Sequence, residues 1–308
     1  MIPDNVHLIG DEAENTILDA DADSVNQAAV IIINEVENVY VASMTLTGGY
    51  TEGHGCAGGG ALLVSASDMS NLSWDDQRIS MATLENLIIE NSHSHNGGGI
   101  SFYRVAGPSL TDVVVSDNTS SFQGGGIFIY VSDVTMNSVT VENNTCLGIT
   151  FQGMDNFGHG GGVFLNQSTG QFSNLSILNN NASSMGGGIW SSYGSGWTIE
   201  NSSISGNMAP WNGGGIALWD NNSQGEESSP TIKIGIGTPI DMTQQEPESA
   251  SPKKMDIHTT VCSKCIGTTV LLILFALCTD TMFARLAKKI LIILNGERKR
   301  LLIPTLSG

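Results

Sequence analysis

Three consecutive glycines followed by an aliphatic residue recur along this chain at nearly fixed spacing. Gly97-Gly98-Gly99-Ile100 is followed by the same form at 124–127, 160–163, 186–189 and 213–216, centred on Gly125, Gly161, Gly187 and Gly214. A looser copy occupies 58–61. Six residues before a triplet stand Asn91, Asn118, Asn180 and Asn207; Asn144 takes the same place once a longer loop is allowed for. Three residues before these asparagines stand Ile88, Val115, Val141, Ile177 and Ile204, so each unit reads [IV]-x-x-N, a short loop, then GGG-[IV]. The aliphatics that close the units fall at 100, 127, 163, 189 and 216, in steps of 27, 36, 26 and 27. The long step contains the loop 145–159. A repeat of this length, built from short β-branched runs, is one coil of a solenoid whose strands stack at ~4.8 Å.

The column logic follows from strand geometry. Residues at the aliphatic positions point inward, and alternation sends Phe102, Ile129, Leu165 and Leu218 the same way, with Ser191 as the exception. The asparagines are expected to bond one another and the turn backbone as a stacked ladder. The glycines supply left-handed backbone and close approach between coils. Earlier, short apolar runs at 6–9, 16–18, 29–33, 39–41 and 44–46 read as strands. The predicted fold is all-β: a single-stranded right-handed parallel β-helix of about seven coils over 1–222.

The first coil, at 6–10 and 15–19, resembles an early coil of pectin-lyase-like β-helices. The repeats over 81–220 resemble those of chlamydial polymorphic outer-membrane proteins, whose signatures are GGA-[ILV] and F-x-x-N. Here Gly replaces Ala and an aliphatic replaces Phe. The resemblance implies a secreted or cell-surface β-helix, often adhesive. The family's C-terminal barrel is not recognisable in this sequence. Because 1–4 leads straight into strand-like sequence, with no basic and apolar leader, the expectation is an N-terminally incomplete β-helix with no signal peptide in this chain.

Charge narrows the function classes. Residues 1–232 hold 24 acidic side chains against Arg78 and Arg104, a net of −22, which repels nucleic acid and anionic lipid. Two arginines also fall short of what cleavage of a uronate polyanion requires. Residues 223–258 read as a polar linker. Residues 259–308 read as an apolar and basic helical tail, with 266–284 a candidate membrane span whose flanking cations lie downstream. Cys262 and Cys265 are half of a zinc site without the other half. Cys56 and Cys146 stand about three coils, or ~14 Å, apart, too far for a disulfide unless their loops lean together. Eight N-x-[ST] sequons follow from the Asn- and Ser-rich composition. The Gly-His-Gly triads at His54 and His159 read as loop histidines.

Two constellations are candidate sites. Glu90 and Asp117 precede successive asparagines, which would set two carboxylates about 5 Å apart on neighbouring coils, as in a retaining glycosidase or a Ca²⁺ site. The simpler reading is two solvated turn residues. Directly after the inward aliphatic stand Ser101, Phe128, Phe164, Trp190 and Ala217, facing outward, with Tyr130 two residues past Phe128. Phe128, Phe164 and Trp190 on three coils form an aromatic stripe. Either it binds a glycan or protein partner, or the loop 145–159, carrying Phe151, Met154 and Phe157, folds over it. The leading expectation is a non-enzymatic extracellular adhesion or ligand-binding scaffold without a cofactor or metal. The alternatives are a carbohydrate-active enzyme on a neutral glycan and a structural spacer.

Overall fold

The computed structural model describes residues 2–52, 58–66, 78–79, 82–149, 158–219, 231–233, 291–294 and 297–300. Every regular element among them is a β-strand, and the strands form three sheets. One turn of the chain shows the plan. Ile100–Tyr103 lies in a seven-stranded sheet, Val105–Ser116 in a fourteen-stranded sheet, and Thr119–Gln123 in a five-stranded sheet. The chain then returns to the first sheet at Ile127–Tyr130, parallel and in register, with Ile100 opposite Ile127 and Tyr103 opposite Tyr130. Val163–Asn166, Ile189–Ser192 and Ile216–Trp219 repeat the placement. The all-β, parallel architecture is the one the repeat predicts.

Each coil turns at four corners, and each corner is made by left-handed backbone. Between Gly160 and Gly186 the corners are Gln167 (φ 48°), Asn174 (φ 55°) and Asn179 (φ 54°), at steps of seven, seven, five and seven residues. The preceding coil puts Val131 (φ 46°), Ser138 and Asn143 at the same corners, and the one before it Arg104, Asp112 and Asp117. Asn, Asp and Gly adopt this conformation at least cost; valine adopts it at roughly 1–2 kcal/mol. The sequence displays only the glycine corner plainly, because Gln, Asn, Val, Ser, Arg and Asp share the others.

Glycine at the triplet is required by contact. A Cβ on Gly125 would stand 2.2 Å from the Gly161 carbonyl oxygen of the next coil. The corner residue Gly124 (φ 64°) would bring a Cβ to 2.6 Å from the Ile127 oxygen. The same register corrects the first, looser copy. Gly59-Gly60-Ala61-Leu62, not 58–61, lies beneath Gly97 to Ile100, since Leu62 is opposite Ile100 and the amide N–H groups of Ala61 and Leu62 both donate to the Gly99 oxygen.

The tube is filled by the predicted ladder, with one substitution of members. Ile100, Ile127, Val163, Ile189 and Ile216 are buried, as are Phe102, Ile129 and Leu165. In the other sheet the buried rung beneath Val115 is Ile89, not Ile88. The exception at Ser191 has a physical explanation. Trp197 enters the core beside it and donates its Nε1–H to Ser191 Oγ at 2.9 Å. Gly170, directly opposite Trp197, leaves the room that Phe172 and the indole use for their 6.1 Å ring contact. A large side chain on one sheet is thus offset by small ones beside it, as close packing demands.

Beyond the expected end of the domain at 222, Thr231–Lys233 continues the large sheet opposite Thr198–Glu200. Leu291–Leu294 and Glu297–Arg300 follow as strands of the same sheet. The remainder of the expected helical tail, including the candidate span 266–284, lies outside the described residues. Among the described residues no helix is long and apolar enough to cross a membrane.

Candidate functional site

The asparagine column is a buried polar ladder. Asn118, Asn144, Asn180 and Asn207 are shielded from solvent. Asn144 Oδ1 accepts from the Asn118 backbone N–H (3.0 Å) and side-chain amide (3.1 Å). Asn144 Nδ2 donates to the Val115 carbonyl (2.9 Å) and to Asn180 Oδ1 (3.0 Å). Asn180 repeats the pattern: its Oδ1 accepts from the Asn144 backbone N–H and side-chain amide, and its Nδ2 donates to the Val141 carbonyl and to Asn207 Oδ1. The rung beneath Asn118 is Ser92, whose N–H donates to Asn118 Oδ1 at 3.1 Å. Asn91 is therefore not a member of the ladder. It is exposed, at φ 50°, in the corner column of Asp117, Asn143 and Asn179. The cause is a one-residue shortening: the strand pairing slips between Ser120 and Gln123 against Ser94 and Asn96, so counting back from the triplet lands one residue early.

That slip also separates the carboxylate pair. Glu90 stands opposite Ser116, and Ser116 opposite Glu142, while Asp117 belongs to the corner column. Glu90 and Asp117 are therefore offset by one residue across neighbouring strands rather than directly opposite. Arg104 is 3% exposed at a corner, with its chain in left-handed backbone.

The aromatic stripe is aligned as expected, with Phe128 opposite Phe164 and Phe164 opposite Trp190. Its rings stack at 5.1 Å and 4.5 Å. It is not a solvent face: Phe128, Phe164 and Trp190 are 2%, 1% and 4% exposed. With Met185 and Ala217 they form a second apolar cluster outside the tube. The corner glycines form part of its floor, since a Cβ on Gly186 would lie 2.7 Å from Trp190 Cβ. His159, the second Gly-His-Gly histidine, caps the stack with its ring 5.1 Å from that of Trp190 and nearly parallel. Residues 150–157 of the long loop, with Phe151, Met154 and Phe157, and the other triad at His54, lie outside the described residues.

Burial holds His159 in its neutral form, with its pKa pushed down from 6.5 to about 4. The unfolded chain takes up this proton near 6.5, the folded chain only near 4. The stability is therefore full above about 6.5 and lost as pH falls from there to about 4. By linkage the loss is about 3 kcal/mol. Denaturant melts at pH 7.5, 5.5 and 4.0 should show His159→Gln losing less stability than wild type by about this amount. Parallel pH profiles would overturn the assignment.

What remains accessible of the aromatic face is its border. Tyr103 and Tyr130 are half-buried and stacked at 5.3 Å with ring planes 8° apart. Tyr130 also lies 6.1 Å from, and parallel to, the buried Phe128 ring. Glu52, His93, His95 and Ser121 meet where the five-stranded sheet begins. This second cluster is not legible from the repeat, because Glu52 lies in a coil whose spacing departs from it.

No protein-family model, curated protein or solved structure matches the chain.

Proposed function

We propose that residues 1–222 form a right-handed parallel β-helix of the pectin-lyase-like kind that works without catalysis, as an extracellular or cell-surface scaffold for adhesion or ligand display. The partner is a cell-surface glycan or protein, and the tail around 266–284 is the candidate anchor. The observation that carries this reading is the Tyr103–Tyr130 step, two parallel half-buried rings on a rigid sheet, backed by Phe128. Such a surface offers apolar ring faces to a sugar or to a protein side chain, and its rigidity lowers the entropy lost on binding. The interior polar side chains do not compete for this role, because the Asn ladder spends them on the turns. The first triplet in register, Gly59-Gly60-Ala61-Leu62, has the GGA-[ILV] form of polymorphic outer-membrane repeats and adds weight to a surface location.

The test is binding of the full chain to a glycan array and to intact cells. Tyr103→Ser with Tyr130→Ser should weaken capture at least tenfold, or by about 1.4 kcal/mol, and leave a cooperative melt. Absence of capture on both surfaces would favour the spacer.

A further inference from the structure

We propose, building on the ligand-binding reading above, that the outermost row of the seven-stranded sheet binds an extended, uncharged glycan chain laid along the tube axis. The row takes the last residue of each strand and crosses all seven strands in register. Asn34 is opposite Ser65, Ser65 opposite Tyr103 and Tyr103 opposite Tyr130; Asn166, Ser192 and Trp219 follow in the same column. Asn34, Tyr103, Tyr130, Asn166 and Trp219 are half-buried, while the small Ser65 and Ser192 between them are shielded.

Charge marks this sheet off from the rest of the molecule. None of its seven strands contains an acidic or basic residue, although residues 1–232 carry 24 acidic side chains. The strands of the fourteen-stranded sheet hold Glu85, Glu90, Asp133, Glu142 and Glu200, among others. The row instead offers carboxamides, phenol rings and an indole, which are neutral donors and acceptors beside apolar ring surface. Its amides are oriented by their neighbours: Ser65 Oγ donates to Asn34 Oδ1 at 2.8 Å, and Asn166 Nδ2 donates to Ser192 Oγ at 3.3 Å. Tyr103, Tyr130 and Trp219 all pack against the buried cluster of Phe128, Phe164 and Trp190, which holds their rings in place.

The shape of the row selects its occupant. The neighbouring outward row is closed, with Phe128, Phe164 and Trp190 shielded from solvent, so the accessible strip is one residue wide and several coils long. A stable protein interface needs about 800 Å² per partner, which a strip this narrow does not supply. A second copy would also bring two acidic bodies within a Debye length, about 8–10 Å, of each other. A uronate or sulfated chain meets the same repulsion and finds no cation on these strands. An extended pyranose chain with equatorial linkages advances per sugar by nearly the coil spacing of ~4.8 Å. Successive sugars thus meet equivalent positions on successive coils, with hydroxyls toward the amides and C–H faces toward the rings.

The full chain should be titrated by calorimetry with cello-, manno- and chito-oligosaccharides, from disaccharide to hexasaccharide, and with hexagalacturonate. At least one neutral series is expected to bind, tightening at least tenfold from disaccharide to hexasaccharide and changing little with salt. Hexagalacturonate should bind at least tenfold more weakly. Asn166→Asp, which puts a charge of similar shape into the row, should weaken the neutral hexasaccharide at least tenfold. Thr135→Ala, at an exposed position on the large sheet, should not. In the wild-type protein the Trp219 indole and Asn166 side-chain amide resonances should shift on adding that hexasaccharide while the core Trp197 indole stays, a readout independent of whether a variant folds. Capture of cells or of a protein with no neutral oligosaccharide bound would overturn the glycan row and leave the scaffold reading standing. Absence of binding to oligosaccharides, cells and proteins alike would overturn both. Unmoved Trp219 and Asn166 resonances in the bound state, or equal affinity for hexagalacturonate, would place the glycan elsewhere and overturn the row.

Discussion

Trp190→Ala is expected to destabilise the protein by about 3–5 kcal/mol, the usual cost of deleting a buried aromatic. Phe164→Ala should cost a similar amount. Both rings are almost completely shielded, and they contact each other at 4.5 Å between Phe128 on one side and His159 on the other. A domain with 5–15 kcal/mol of total stability loses a large fraction of it through either change. The pair Phe128→Ala and Trp190→Ala should not add simply, because both rings lean on Phe164. Trp190→Phe separates ring packing from the polar handle. Among the described residues the buried Trp190 Nε1 has no hydrogen-bond partner, so removing it relieves an unpaired donor while most of the stack is kept. A loss well short of that of the alanine variant, about 1–2 kcal/mol, is expected, because the smaller ring leaves only a small cavity. Urea unfolding of the five variants, the double and both of its singles included, decides the matter. Wild-type stability in Trp190→Ala, accompanied by loss of surface binding, would falsify the packing role and restore the stripe as an exposed face.

The stripe also shows where a sequence stops informing. Alternation along Ile127–Tyr130 correctly sends Phe128 away from the core that Ile127 and Ile129 fill. Leaving the tube is a different matter from meeting water, and the cover comes from residues such as Met185 and His159 that follow no period. The repeat made the parallel sheets legible because every coil must place an apolar residue at the same two positions. It concealed three of the four corners, where Gln167, Val131, Asp112 and Asn174 perform one backbone task with unlike side chains. It also misled by one residue at Asn91 and Ile88, because a shortened strand between ladder and triplet leaves no mark in composition. The Glu52–His93–His95 cluster was illegible for a related reason: its members lie 41 residues apart in the bond that joins them, and only the short pairing of Tyr50 with His93 brings them together.

The corrected ladder makes its own strong prediction. Asn144→Ala should cost about 3–5 kcal/mol, whereas Asn91→Ala should cost about 1 kcal/mol, although both asparagines fit one motif. Removing the Asn144 side chain leaves the Asn118 N–H and the Val115 carbonyl without these partners inside a buried turn. Each such orphan costs about 1–3 kcal/mol. The Asn118 and Asn180 side chains also lose one bond apiece, though Asn118 keeps the Ile89 carbonyl and Asn180 keeps the Val141 carbonyl. Asn91 loses only the asparagine preference for left-handed backbone at an exposed corner. Asn144→Asp is the sharper variant. A carboxylate can still accept from Asn118, but it cannot donate to Val115 or Asn180, and its charge is buried. It should be at least as damaging as alanine at pH 7 and recover part of the loss as the carboxyl protonates at acid pH. Equal costs at positions 91 and 144 would mean that the ladder runs through Asn91 after all, and the register of the first coil would have to be redrawn.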